Sequence, residues 1–439
     1  MNVERLNITL KADPGKVILQ FFELKNDARI KKILNRVTSL PESEVNKKLS
    51  EVYSFFGGRH KNLDETFSDH FTRVENLLED TLDISDNMKK LIGAYFTKEY
   101  SIESAALFNP SIVTHPDQSG TEEGEVKFVM SLRAAGEGHI SSVEFREGII
   151  SKNADISFIN DSDMRVLPKQ KEYPVDEIIG KKFPGKTVKE KKREKLLSKN
   201  YRCLFGEDTL MSERVLFPNS ISELMGIEDA RFVKFEEGYD YKYLATYTAY
   251  NGKSFKSQLI ETTDFKEFEL GTLHGKMIKD KGMAIFPRKI DGKYFMTSRL
   301  DGENMYMMES NNLYRWDNAE LIMEPESSWE FVQLGNCGSP IETELGWLLL
   351  THAVGPFRKY VISALLLDKE NPYKVIGKLK EPLIEPEEPE RDGYVPNVVY
   401  SCGSLIHNNN LIIPFAMSDS ACGFAKIELN KLLENIQHT

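Results

Sequence analysis

Cysteine is scarce, with four in 439 residues: Cys203, Cys337, Cys402 and Cys422, far apart and never in a C-x-x-C pair. That spacing argues against a disulfide framework and a zinc site, and predicts buried reduced thiols. Eight histidines show no metal-ligand spacing, so no metal is expected. Long apolar runs are missing as well. Stretches such as GWLLLTHAVG are too short and interrupted to span a bilayer, and MNVERLNITLKADPGKVILQ lacks the basic start and apolar run of a signal peptide. A soluble, cytoplasmic protein with no membrane partner is expected. There is no excess of positive charge either: 57 Lys and Arg against 68 Asp and Glu leave −11, which argues against nucleic acid as a partner and favours a neutral or locally anionic ligand. Finally, there is no GxSxG elbow, no phosphate-binding GxxxxGK[ST] loop, no HExxH, and no GxGxxG after a strand.

What is present is an ordinary globular composition, 40% hydrophobic and 10% aromatic. The length suits two or three domains, or one repeat architecture with an extension. In residues 1–100, SEVNKKLSEVYSFF and ETFSDHFTRVENLLEDTL repeat apolar residues every three or four positions, with Pro41 and Ser43 as start signals, so a helical N-terminal extension is predicted. Residues 101–439 change to short β-branched and aromatic runs, such as VKFVMSLRA, YKYLATYTAY and YVISALLL, separated by turn signals. This texture predicts an all-β sandwich, barrel or propeller. ETTDFKEFELGTL and ESNNLYRWDNAEL share a pattern and begin 48 residues apart, about one propeller blade. That period leaves room for about five to seven blades. The basic run KTVKEKKREKLLSKN is read as a solvated helix between blades.

The segment GIEDARF holds two carboxylates, Glu228 and Asp229, beside Arg231. If it is extended, successive side chains face opposite ways, so one carboxylate and not a pair is the candidate acid. A structural salt bridge with Arg231 is the commoner role for such residues. Basic groups recur in the β region at Arg133, Lys281, Arg299, His352 and Arg358. In a propeller such positions converge on the axis, and together they suit an oxyanion such as phosphate.

The runs FNPSIVTHPDQSG, SLRAAGEGHISSVEFREG, GIEDARFVKF, ATYTAYNG, KGMAIFPRK, SRLDGENMY, WEFVQLGNCGSPIETELGWLLLTHAVGPFRKY and ERDGYVPNVVYSCG, in this order over residues 100 to 430, resemble glycoside hydrolase family 130. The resemblance implies a five-bladed β-propeller that acts on β-mannosides with inversion, mostly by phosphorolysis to α-mannose 1-phosphate. The most similar subgroup includes β-1,2-oligomannan phosphorylases and β-1,2-mannosidases. By resemblance Asp229 is the proton donor, and Arg133, Lys281, Arg299, His352 and Arg358 bind phosphate. Asn109, Glu228, Arg231, Tyr250, Asp301 and Asp419 are the expected sugar-binding residues. Phosphate is a co-substrate and no cofactor is expected.

An inverting hydrolase needs a second carboxylate roughly 6.5 to 9.5 Å from its acid to activate water. An inverting phosphorylase needs a cationic cradle instead, because phosphate is the nucleophile. One clear acid with a basic set favours phosphorolysis of β-1,2-linked oligomannose. The alternatives are a β-1,2-mannosidase, with Glu342 or another acid as base, and a non-catalytic carbohydrate-binding propeller. A propeller's flat faces also leave room for a homo-oligomer.

Overall fold

The computed structural model describes residues 3–78, 83–173 and 200–438. Within them the chain is mostly β. Four helices lie in the first hundred residues. Asn26 caps Asp27–Thr38 by accepting from the amides of Ala28 and Arg29, and Ser85 caps Asp86–Tyr95 through the amide of Met88. Glu42–Phe56 begins directly after Pro41, while Leu63–Thr72 stops short of its sequence pattern and is followed by a 3-10 turn at Glu75–Leu77. Ile30, Leu34 and Val37 line one helical face and pack with Val45, Leu91 and Ile92 in a separate apolar cluster.

This segment is not purely helical. Val17–Phe21 pairs with Thr97–Ser101, and Glu4–Lys11 joins Ala421–Glu428 from the far end of the chain. The signal was short but present: Leu6, Ile8 and Leu10 recur at every second residue and pack against the core of the first and last sheets. Arg5, on the same strand, bonds Glu390 at 2.7 Å and so ties the N-terminus to a loop near residue 390.

The β region consists of antiparallel groups in chain order. Ala106–Thr114, Val126–Ala135 and Ser141–Ile150 come first. Gly226–Glu237, Asp240–Tyr250, Phe255–Thr262 and Glu267–Thr272 follow, and then Ala284–Ile285, Tyr294–Ser298, Met305–Ser310 and Asn318–Met323. The last groups are Gln333–Asn336, Trp347–Val354, Tyr360–Leu367 and Val375–Lys378, and then Val399–Tyr400, Asn410–Met417 and Ala421–Glu428 with Glu4–Lys11. The two related segments 48 residues apart occupy equivalent places, the hairpins joining the last two strands of successive groups. The basic run near residue 190, except Asn200, lies outside the described residues.

Apolar clusters fill the spaces between neighbouring groups. Phe145 packs with Phe232 and Tyr243, Val233 with Met296, Phe286 with Trp347, and Leu348 with Leu411. A further cluster joins Phe128 and Met130 of the first group to Ile412 and Phe424 of the last. Residues in or beside the first strand of each group, Asn109, Asp229, Gly282, Gln333 and Tyr400, line one cavity.

The backbone ladders of the first two groups join through one parallel pair, Gly226 with Ser141. Gly226 has φ of 149°, and a Cβ there would lie 2.7 Å from the Ser141 Cβ. Only glycine lets the two strands approach this closely at the start of GIEDARF. Gly226→Ala is therefore expected to cost about 2–3 kcal/mol and lower the melting temperature; an unchanged melting curve would contradict the clash.

Candidate active site

The first strands of the first two groups each carry a β-bulge. In Ala106–Thr114 the register slips between Phe108 and Ser111, and in Gly226–Glu237 between Glu228 and Arg231. Asn109 and Asp229 sit inside these bulges at φ of 50° and 53°. Asn and Asp tolerate this left-handed region better than most residues. The bulges re-aim both side chains into one cavity, where Asn109 Nδ2 donates to Asp229 Oδ1 at 2.6 Å. Ser111 Oγ accepts from the Phe232 amide at 3.0 Å and fastens the two strands together just beyond.

The bulge brings Glu228 and Asp229 onto one arginine, although only Asp229 lines the cavity, as expected of a single candidate acid. Arg133 donates through Nη1 to Asp229 at 3.1 Å and through Nη2 to Glu228 at 2.7 Å. Its Nε donates to Ser141 Oγ at 2.9 Å, and its guanidinium lies 4.8 Å from the Phe108 ring centre. Each of its three nitrogens thus makes one hydrogen bond. The local salt bridge predicted for Arg231 is made by Arg133 instead. Arg231 donates to the Tyr400 hydroxyl, and its buried Nε has no hydrogen-bond partner among the described residues.

A cavity of about 130 Å³ collects Asn109, Arg133, Asp229, Arg231, Lys281, Arg299, His352, Arg358 and Asp419 from the expected set. Five cationic side chains face two carboxylates. Lys281 lies over the Phe255 ring and Arg358 over the Tyr360 ring, and the buried Nε of Arg299, 3.5 Å from the Asp280 carboxylate, has no hydrogen bond among the described residues. Arg358 and Asp419 both lie in turns with φ near that of Asp229, at 55° and 50°.

The two pocket carboxyls differ in acidity. Burial pushes Asp229 up, but Arg133, Lys281, Arg231 and the Asn109 hydrogen bond together hold it well below the usual range. Asp419 is pushed up to about 6 by burial and by the charge of Asp229, against the pull of Arg133, Arg358 and Lys281. Burial likewise raises Glu228 against the pull of Arg133.

His352 is in the cavity but is not a cation. Burial, then Arg299 and Arg231, drive its pKa well below the ordinary value. Its Nδ1 lies 3.0 Å from the Asn336 carbonyl, so that nitrogen carries the proton and Nε2 is left as an acceptor. Gly335 makes room for the ring: a Cβ there would lie 2.6 Å from His352 Cε1.

Four expected residues do not line the cavity, and of these Glu228 is bound to the cavity residue Arg133. Tyr250 stacks on Phe255 at 4.9 Å, and it is Phe255 that sits beneath Lys281. Asp301 spends its oxygens within its own turn, accepting from the amides of Glu303 and Asn304 and from Tyr306. Glu342 belongs to a different cavity, lined also by Val113, Pro287, Ile341 and Leu405, where it forms a two-point pair with Arg288 at 2.7 and 2.8 Å. Those hydrogen bonds, with Lys369, hold it down to about 2, so it is both misplaced and too weakly basic to activate water in the site. Gln333, Tyr360 and Tyr400 line the cavity without having been singled out. Being neutral, they carry no charge signal; their place in the quoted WEFVQLGNCGSPIET, GPFRKY and ERDGYVPNVVYSCG runs was the only available cue.

Residues 206–438 match the family model of glycoside hydrolase family 130, described as beta-1,4-mannooligosaccharide phosphorylase. A 1,2-beta-oligomannan phosphorylase of Thermoanaerobacter sp. (strain X514) is 32% identical over 226 residues, covering 51% of this chain and 75% of that protein. A Beta-1,2-mannobiose phosphorylase of the same organism is 33% identical over 263 residues, covering 57% and 84%. The structure of Beta-1,2-Mannobiose phosphorylase from Listeria innocua, in complex with beta-1,2-mannobiose, superimposes with a TM-score of 0.51 at 21% identity, covering 76% of this chain and 92% of that one. By the match over more than half its length, this chain belongs to glycoside hydrolase family 130.

Proposed function

We propose that the protein is an inverting phosphorylase of β-1,2-linked mannooligosaccharides that releases α-mannose 1-phosphate. The observation that carries this reading is the cavity itself: one hydrogen-bonded acid, Asp229, beside five cations, two of which keep a buried guanidinium nitrogen without a hydrogen bond. Such a wall suits an anion that arrives with the substrate, and inorganic phosphate meets that need with no further cofactor. The named relatives are phosphorylases of the same class of glycoside. The hydrolytic alternative loses Glu342 as its base.

In the reaction a phosphate oxygen attacks C1 of the terminal mannose from the face opposite the leaving group, and the C1–O bond breaks. The departing oxygen takes a proton that originates on Asp229, directly or through a sugar hydroxyl. In the free protein Asp229 is held as a carboxylate by Arg133, Lys281 and Arg231. Those cations also line the phosphate site, so bound phosphate offsets their charge and lets Asp229 take up the proton it must give. His352, neutral with a bare Nε2, is suited to accept from a sugar hydroxyl or from protonated phosphate.

The same reading makes the β region a five-bladed propeller. Five successive strand groups and five intervening apolar clusters support that count, with Glu4–Lys11 completing the last blade. The four buried free cysteines are in keeping with a cytoplasmic location.

Three outcomes test the proposal. With β-1,2-mannobiose or mannotriose, mannose 1-phosphate is expected only when phosphate is supplied; free mannose formed equally fast without phosphate would sink the reading. Asp229→Asn is expected to lower kcat by about 10²–10⁴-fold, measured on protein with unchanged circular dichroism. Asp419 reports on the pocket through stability. Its folded pKa of about 6 exceeds that of an unfolded aspartate, so the wild type loses stability as pH rises from about 4 to about 6. Asp419→Asn should therefore be the more stable protein at pH 8, by at most about 3 kcal/mol, with the advantage vanishing near pH 4. Unfolding curves at the two pH values check the sign.

A further inference from the structure

At about 130 Å³ the cavity is well below the roughly 300–1,000 Å³ of an ordinary small-molecule site. An oligosaccharide whose terminal unit and phosphate occupy it must run out across the rim. The loops that adjoin the cavity residues carry aromatic side chains that the folded chain leaves uncovered. Phe357 is 98% exposed, directly before the cavity residue Arg358, and both have left-handed backbone, at φ of 59° and 55°. Tyr394 is 58% exposed and stacks on the exposed His139 with ring centres 5.4 Å apart and planes 30° apart.

These residues belong to one place. The Tyr360 amide donates to the Asn397 carbonyl at 3.0 Å, and Tyr360 bridges Val398. Tyr360 and Val398 both line the cavity. Phe357 lies three residues before Tyr360 and Tyr394 three before Asn397, on the two loops that this bridge joins. The Tyr394 loop is held to the other side of the site as well, because the Val395 amide donates to the Ser418 carbonyl at 3.0 Å, next to Asp419. His139 lies on the hairpin between the strand that carries Arg133 and the strand that begins at Ser141. Its φ of 59° is a third strained position whose ring is held out toward solvent. Backbone strain costs on the order of 1–3 kcal/mol per residue and is retained mainly where it serves a site.

We infer that Phe357 and the Tyr394–His139 stack are sugar platforms outside the cavity, which bind the units of a mannooligosaccharide beyond those at the scissile bond. The flat apolar face of a pyranose, built of C–H groups, matches an exposed aromatic ring, and uncovered apolar surface beside a polar pocket is where a ligand groove is expected. The inference rests on the mannoside reading and deepens it: the preferred substrate is an oligosaccharide and not a disaccharide.

The test compares β-1,2-mannobiose with β-1,2-mannotetraose, with phosphate, on the wild type, Phe357→Ala, Tyr394→Ala and Tyr394→Phe. The wild type is expected to show a kcat/KM for tetraose at least tenfold above that for biose. Each alanine variant should cut that ratio at least fivefold, mainly through KM, while Tyr394→Phe keeps it because the ring remains. Calorimetric binding of tetraose should weaken at least fivefold in the alanine variants. A ratio of one in the wild type, or unchanged tetraose binding in both alanine variants, would overturn the platforms. If the wild type binds tetraose, the alanine variants bind it less well, and no phosphorolysis occurs, the platforms stand and the phosphorolytic reading falls.

Discussion

The site depends on one guanidinium. Arg133 is braced on Phe108 and Ser141 and presents its two terminal nitrogens to Glu228 and Asp229. A carboxyl as deeply buried as Asp229 would otherwise favour its neutral form. Arg133 is also part of the cavity wall, so the cation that holds the acid ionised is shared with whatever anion enters. Removing one member of such a buried group leaves the others uncompensated, which is why its members cannot be assigned independent energies.

That geometry exists because the strands are irregular where they reach the centre. An unbroken strand beginning at Gly226 would send Glu228 and Asp229 to opposite faces. The bulge lets both reach one arginine, and an equivalent bulge delivers Asn109. Arg358 and Asp419 reach the cavity from turns with the same left-handed backbone. The regular parts of the sheets, with their apolar clusters, fix the positions at which this strain is tolerated. Asn109, Asp229, Arg358 and Asp419 occupy those positions.

Much of this was legible before any coordinates. Apolar spacing located the helix after Pro41, the 48-residue repeat located equivalent hairpins, scattered basic residues plus one acidic motif located seven members of the cavity, and the family resemblance supplied two more, Asn109 and Asp419. The misses have physical causes. Leu6, Ile8 and Leu10 form a strand only because Ala421–Glu428 is waiting at the other end of the chain. Asp301 and Glu342 look like site carboxylates by type and neighbourhood, yet one is consumed by its own turn and the other by Arg288. His352 was counted as positive, but burial among arginines makes it neutral.

The sequence by itself determined the mostly β class of the fold, the glycoside family and the candidate acid, because these follow from periodicity, from residue chemistry and from motifs read in order. Only the tertiary structure decided which carboxylates share a partner, which charges survive burial and which aromatic rings stay exposed at the rim. Those depend on distances between groups remote in the chain, such as Arg133 to Asp229 or His139 to Tyr394, and on how much water the fold excludes from each. Pairing and desolvation are properties of the packed molecule, and no local pattern encodes them.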